Sequence, residues 1–476
     1  MEELVSWATS HGARLHPSVE VYADPHTGNS FRVSPGAGAG VQPGEPVVTC
    51  PLHLTLSYLN ATPTPTPGFH HDAAGSPTPF PDSFLQTVPP HVTSRFFLIQ
   101  QYLLGSSSFW HPYIRTLPQP DALSSWALPP LWPSDDVELL EETNVHVAVA
   151  EIKSRLKAEY KHATAALADH PARRDYTRLL YNWAYCIFAS RSFRPSLVIP
   201  AARQRTLGLP EGCAVDDFSL LLPLFDVGNH SPLARVSWAH DANAPDSCEL
   251  RTLDAYAPGA QVYNNYGTTK TNAELLLAYG FVIPESEGLH NDYVHVRKRG
   301  AGQQQTATSE GGAGSSSKPK DFLISLRPVS DPSSVATRSA QLLPDLAADA
   351  ILPPFRHVQD AMVWDLVLAQ TTEDHRDELL PVSAESSAEE EKDLRRLRMV
   401  LTGAVPAPAR PLLEQTVAIV QWKVLQELER LDQSETELED GDAATRNQVT
   451  ALRYRAQCRK VLETVLETME MPDAEA

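Results

Sequence analysis

The residues with chemical potential in this chain sit at the ends of two apolar runs. Asp226, Asn229 and His230 follow Leu220 to Phe225, and Tyr266 closes the β-rich run Gln261 to Tyr266 just before Gly267. An apolar run of strand length that stops on Asp, Gly, Asn, His and Pro delivers polar side chains at the end of a buried strand. A carboxylate, an amide, an imidazole and a phenol in such places can hold a polar ligand beside a reacting group. Zinc chemistry is not indicated, because Cys50, Cys186, Cys213, Cys248 and Cys458 are scattered, without a CxxC or Cys/His spacing, and read as reduced structural thiols. Taken alone, the same residues more often form a turn with a buried histidine and a strand-end tyrosine whose hydroxyl is satisfied.

The elements that must position these groups are partly legible. Pro258-Gly259 makes a turn before the second run, and Gly267 releases the backbone after Tyr266. Thr271 or Asn272 caps a helix with Glu274 in its first turn, and Leu275, Leu276, Leu277 and Tyr279 carry it to a stop at Gly280. Upstream, residues 1 to 17 read as a short helix and a turn, and Val19 to Tyr22, Phe31 to Val33, Val47 to Cys50 and Leu54 to Leu59 read as short strands. The proline-rich stretch 61 to 90 reads as an extended exposed loop. From His91 the texture becomes helical, and Tyr176, Leu179, Leu180, Trp183, Ala184, Ile187 and Phe188 form a core-facing stripe. The segment 299 to 320 is rich in Gly, Ser and Gln and reads as a flexible linker. Helical patterns resume at 361 to 369, 394 to 401, 412 to 431 and 449 to 469. The acidic runs at 385 to 393 and 435 to 442 between them read as solvated loops or helix starts.

A chain of 476 residues with 42% hydrophobic content has room for two or three domains with real cores. No apolar stretch approaches membrane-spanning length and no signal peptide is indicated, so the expectation is a soluble intracellular protein of the cytoplasm, the nucleus or both. A net charge of −20 argues against non-specific nucleic-acid binding and suits a basic protein or peptide as partner.

The motifs PLFDVGNHSP, VYNNYG and ELLLAYGFV, with thirteen residues from Tyr266 to Tyr279, resemble the C-terminal half of a SET domain of the Rubisco lysine methyltransferase-like family. The order GA..HP.VE, PGE.VV..P and LTLS resembles the family's N-terminal half, and FWHPYIRTLP and LPPLWPSDD resemble its inserted helical subdomain. The glycine turn departs from the family, since Gly28, Asn29, Ser30 and Phe31 stand where relatives carry a GxGL-like turn, and a Gly/Ala insertion runs on to Gly40.

The resemblance implies an α+β fold, in which a β-rich SET domain is interrupted by a helical insert and followed by a helical domain. Its parts would be residues 1–90, the insert 91–212, the motif-bearing 213–298, the linker 299–320 and a substrate-binding domain at 321–476. It further implies S-adenosylmethionine as cofactor and a protein substrate presenting a lysine, with no nucleic-acid or membrane partner and a monomeric chain. Methyl transfer to an amine needs a cofactor cleft, a narrow channel and a neutral amine at their junction. Enclosing the amine in aromatic rings beside a cationic sulfonium disfavours its protonated form.

By resemblance, Tyr266 is the catalytic residue. Gly28, Asn29, Ser30, Phe31, Arg191, Asn229, His230 and Phe281 hold the cofactor, and Phe193, Phe225, Asp226 and Tyr279 face the substrate. The implied activity is lysine N-methylation of a non-histone protein. A histidine-methylating branch carries an asparagine where this chain has Phe193. A catalytically silent binding scaffold is the reading from another class, favoured only by the departed glycine turn.

Overall fold

The structure is a computed structural model, and it describes residues 1–25, 27–71, 80–241, 244–268, 270–284, 293–297, 321–331, 334–338, 346–382, 389–434 and 444–469. The chain divides into two compact units, one made of Met1–Trp132, Val149–Thr268 and Leu277–Gly280, the other of Pro133–Ala148, Thr269–Leu276 and Phe281–Ala476. Mixed helix with small sheets is the α+β class expected from the sequence.

The first unit opens with the helix Glu2–Ser10. Its strands are β1 (Arg14–Leu15), β2 (Val19–Asp24), β3 (Gly28–Val33), β4 (Pro46–Pro51), β5 (Ser192–Phe193), β6 (Leu220–Leu221), β7 (Val236–Asp241), β8 (Ala244–Thr252) and β9 (Gln261–Val262). They form three sheets, ordered β1-β4-β8-β7, β2-β3-β9 and β5-β6. One core joins them: Phe31, Val33, Val48, Cys50, Leu220, Phe225, Leu250 and Val262 are buried together. The helical part packs Pro90–Leu103 against Arg178–Arg191, the second started by the Thr177 hydroxyl accepting from the Leu180 N–H. Along this helix Leu180, Trp183, Ala184, Ile187 and Phe188 are buried, whereas Leu179 is exposed.

Three local expectations are corrected. Leu54 to Leu59 is not a strand: Thr55 bonds the Leu52 carbonyl, and Ser57 and Asn60 form a capping box, so side chains take the backbone groups a ladder needs. Residues 61 to 90 are not an exposed loop throughout, because Phe80 and Phe84 are fully buried, Asp82–Thr87 is helical, and His70 stacks on Phe109 at 3.8 Å. Gly28 to Phe31 is the second arm of a hairpin rather than a loop, paired residue for residue with Val21 to Asp24. The segment 299–320 and the acidic residues 435–442 lie outside the described residues.

The second unit pairs β10 (Tyr293–Arg297) with β11 (Asp321–Ser325) in an antiparallel ladder, followed by the helices Asp360–Gln370, Glu373–Leu379, Glu389–Thr402, Arg410–Gln433 and Arg446–Thr468. A Thr445/Gln448 capping box starts the last helix, whose Ala451, Tyr454, Cys458, Val461, Leu462 and Val465 are buried. Among the described residues no helix is long and apolar enough to cross a membrane.

Candidate active site

The apolar run at 220 pairs for two residues only, then turns on Leu224, a leucine held at φ 69° and fully buried. Such a backbone costs about 1–3 kcal/mol and persists only where packing over-determines it. The turn feeds a single helical turn, Phe225–Val227, that points Phe225 and Asp226 inward.

Past that turn, 228–231 runs alongside Asn264 as a parallel bridge: the Asn264 N–H donates to the Asn229 carbonyl at 2.8 Å, and the Ser231 N–H to the Asn264 carbonyl at 3.0 Å. The run after Val262 therefore leaves its strand to meet the other motif. Asn265 fastens the crossing, donating to the Pro232 and Ala234 carbonyls at 3.2 and 3.0 Å and accepting the Gly267 N–H at 2.9 Å. Gly228 fits here because it lacks a side chain: a Cβ would lie 3.3 Å from the Asn264 Cβ and 3.4 Å from the Phe31 ring.

Tyr266 is the centre of the arrangement. Its ring lies between His230, at 4.9 Å and 15°, and Tyr279, at 4.7 Å and 25°. Its hydroxyl donates to the Gly228 carbonyl at 3.0 Å, and its N–H donates to His230 Nδ1 at 3.1 Å. That second bond places the proton of a neutral His230 on Nε2. Burial pushes the Tyr266 phenol well above its ordinary pKa, so it remains a protonated donor.

Behind it lies a charged group that the sequence only half revealed. Asp226, with a side chain 2% exposed, accepts from the Tyr113 hydroxyl at 2.9 Å and from Arg191 at 3.4 Å. Burial raises its carboxyl pKa, and Arg191 and Tyr113 oppose that rise. Asp226 is therefore buried against Tyr113 and Arg191. Tyr113 lies within FWHPYIRTLP, but nothing in its local pattern marks its partner.

Phe193 and Phe225 meet edge to face at 5.3 Å and 89°, and Trp238 completes the cluster at 5.2 Å from Phe193 and 6.0 Å from Phe225. Trp238 also donates from its indole to Asn264 Oδ1 at 3.3 Å. It is an aromatic residue that sequence reasoning missed, since a tryptophan in an alternating strand carries no signal of its own. Trp238 and Tyr266 line one open cleft of about 660 Å³.

On the hairpin side, the Asn229 amide donates to the Thr27 hydroxyl at 2.8 Å, and Thr27 in turn donates from N–H and hydroxyl to Asp24 Oδ1, both at 2.9 Å. With its amide nitrogen on Thr27, the Asn229 side chain leaves its Oδ1 without a hydrogen-bond partner among the described residues. Ser30 accepts from the Gln261 amide at 2.7 Å, and Phe31 supports Gly228 from below, so both residues face the core. Gly28 and Asn29 pair with Asp24 and Ala23 at the hairpin end. Phe281 belongs to the second unit. No group of His, Cys, Asp and Glu that could hold a metal occurs among the described residues.

No family model matches the chain. It is 28% identical over 314 residues to the ribosomal lysine N-methyltransferase set10 of Schizosaccharomyces pombe, covering 63% of this chain and 50% of that protein. Over 286 residues it is 24% identical to an actin-histidine N-methyltransferase of Rhinolophus ferrumequinum, covering 59% and 42%. Over 324 residues it is 22% identical to the protein-lysine N-methyltransferase EFM1 of Saccharomyces cerevisiae, covering 59% and 49%. The chain thus spans about half the length of the curated relatives it matches. Among solved structures it resembles the SET domain of LSMT bound to lysine and AdoHcy, at a TM-score of 0.59, 16% identity and coverage of 98% of this chain and 90% of that one. Rubisco LSMT bound to AdoMet aligns at a TM-score of 0.58, 16% identity and coverage of 98% and 91%. At that identity the likeness carries the fold.

Proposed function

We propose that this chain, which has the SET-domain fold of Rubisco LSMT, is an S-adenosylmethionine-dependent protein-lysine N-methyltransferase acting on a non-histone protein. The observation that carries the reading is Tyr266, stacked between His230 and Tyr279 and lining the same cleft as Trp238 of the Phe193–Phe225 cluster.

The residues near the hairpin fit the cofactor's amino-acid end. The Asn229 side-chain Oδ1 suits an ammonium. The Arg191 guanidinium, 31% exposed and backed by Asp226, suits a carboxylate. The hairpin end at Gly28 and Asn29, with His230, is proposed to complete that site, and Phe281 of the second unit is proposed separately to contact the cofactor. When bound, S-adenosylmethionine supplies an electrophilic methyl group on a sulfonium sulfur.

The chain's own groups would do the rest. Phe193, Phe225, Trp238 and Tyr279 remove water from an entering amine. A free lysine has a pKa of about 10.4, and desolvation lowers it, which favours the neutral nucleophile. The Tyr266 hydroxyl, whose proton is committed to the Gly228 carbonyl, keeps lone pairs for an amine N–H and so orients the nitrogen. Alignment in a dry site is the main source of rate in such a displacement.

Histidine methylation is the competing activity, because relatives of both kinds match. Phe193 supports lysine, since its phenyl ring offers an imidazole no hydrogen bond. A silent scaffold is disfavoured by the intact set Tyr266, Asn229 and His230. The region 321–476 is proposed to bind the substrate protein, and the chain to act as a monomer inside the cell. Incubating the protein and an isotope-labelled methyl donor with a proteome from cells lacking it tests the reading: labelled lysines support it, labelled histidines support the competitor, and no label supports the scaffold.

A further inference from the structure

Nine large hydrophobic side chains are exposed among the described residues, and three of them, Leu197, Leu233 and Leu253, line the cleft that Tyr266 and Trp238 also line. They are 44%, 65% and 42% exposed. Single exposed leucines are ordinary, but three in one concavity give the aliphatic side chains of a partner a common place to pack.

Two arginines edge the same cleft, and they differ. Arg235 is committed to Asp254, with its Nε 2.7 Å from Oδ1. The Arg194 guanidinium is exposed and makes no hydrogen bond or ion pair among the described residues. On a chain of net charge −20, a cation kept without a partner at a cleft rim is complementary to an acidic group from outside.

The cleft wall is also a sheet edge. β7, which carries Val236 and Trp238, pairs with β8 on one side and is the last strand of its sheet. An edge strand suits an extended segment. Asn229 and Arg191, the residues fitted to the cofactor, do not line this cleft, whereas Tyr266 and Trp238 do.

We infer that the cleft selects its protein substrate by sequence: the segment bearing the acceptor lysine is extended, carries aliphatic residues that cover Leu197, Leu233 and Leu253, and carries an Asp or Glu that pairs with Arg194. This specificity rests on the methyltransferase reading above, and it refines the overall charge argument. The acidic chain would attract basic proteins at long range, while this cleft selects an acidic residue locally.

The test uses the full chain and immobilised peptide libraries with a fixed central lysine and randomised flanks, read both for binding and for label from the methyl donor. Wild type should enrich an acidic residue at one flanking position and Leu, Ile, Val or Phe at others. Arg194→Glu should exchange the acidic preference for a basic one, by about fivefold as expected of an exposed ion pair. Leu233→Asp should lose the aliphatic preference, and both variants should melt like wild type. Binding with these preferences but no label would uphold the cleft and sink the methyltransferase reading. Label without flank preference, or an acidic preference that survives Arg194→Glu, would overturn the cleft and leave that reading standing. Neither binding nor label overturns both.

Discussion

The Tyr266 hydroxyl donates to the Gly228 carbonyl at 3.0 Å, so the residue at the end of one motif is held by the backbone of the other. The bond joins positions 38 residues apart and fixes where the phenolic oxygen stands relative to Asn229 and His230. Tyr266→Phe keeps both ring stacks and removes only this oxygen. Turnover should fall by roughly ten- to a thousandfold, the scale of a few kcal/mol in the barrier. Affinity for S-adenosylhomocysteine, measured by calorimetry, should survive. Full turnover in a folded Tyr266→Phe protein would remove Tyr266 from the mechanism.

Gly228→Ala tests the same junction from its other side. The new Cβ would lie 3.3 Å from the Asn264 Cβ and 3.4 Å from the Phe31 ring, so thermal unfolding should show a loss of about 1 kcal/mol, the low end for overpacking. Turnover should fall more than this loss explains, because the carbonyl that receives the Tyr266 hydroxyl shifts with the backbone.

Tyr113→Phe should act at a distance through Asp226 and Arg191. Burial already raises the Asp226 pKa, and the Tyr113 hydroxyl stabilises the ionised form, so removing it raises that pKa further. An acid whose pKa is raised in the folded state becomes protonated at a higher pH, and Arg191 then loses its counter-charge. The acid limb of the pH–rate profile should therefore move upward in Tyr113→Phe, with little change at alkaline pH. An unmoved acid limb would mean that Asp226 does not act through Arg191.

What the sequence made legible was mostly local. The helix Asn272–Tyr279 could be read from Thr271, Glu274 and Gly280, and the structure has Thr271 bonded to Glu274 at 2.8 Å and Gly280 at φ 75°. Gln261 to Tyr266 misled, because only Gln261–Val262 pairs as a strand and the two asparagines that follow bond to a segment some thirty residues earlier. The burial of Phe80 and Phe84 was hidden by the surrounding prolines, since the two rings stack on each other and find their further partners in Tyr176 and Phe96. Trp238 and Tyr113 were missed for a related reason: each matters through a residue far away in the chain.

The helical part of the first unit should have an acid weakness of its own. Burial would raise the Glu159 carboxyl, but His91, Arg95 and Tyr181 outweigh it and hold the pKa down to about 2. A carboxyl depressed from 4.5 contributes its stability above pH 4.5 and loses it as pH falls towards 2, an effect of about 3 kcal/mol. Glu159→Gln should lower the melting temperature at pH 7, and the gap to wild type should close as pH drops through that window. A gap that stays constant with pH would mean the cluster contributes packing alone.

The most direct measurement is tandem mass spectrometry of proteins labelled by this chain from an isotopic methyl donor, comparing wild type with Tyr266→Phe and Phe193→Asn. The account predicts label on the Nε of lysine in wild type, strongly reduced label in Tyr266→Phe, and impaired lysine labelling in Phe193→Asn with cofactor affinity retained. Wild-type label on histidine, or lysine labelling that Tyr266→Phe leaves intact, would contradict it.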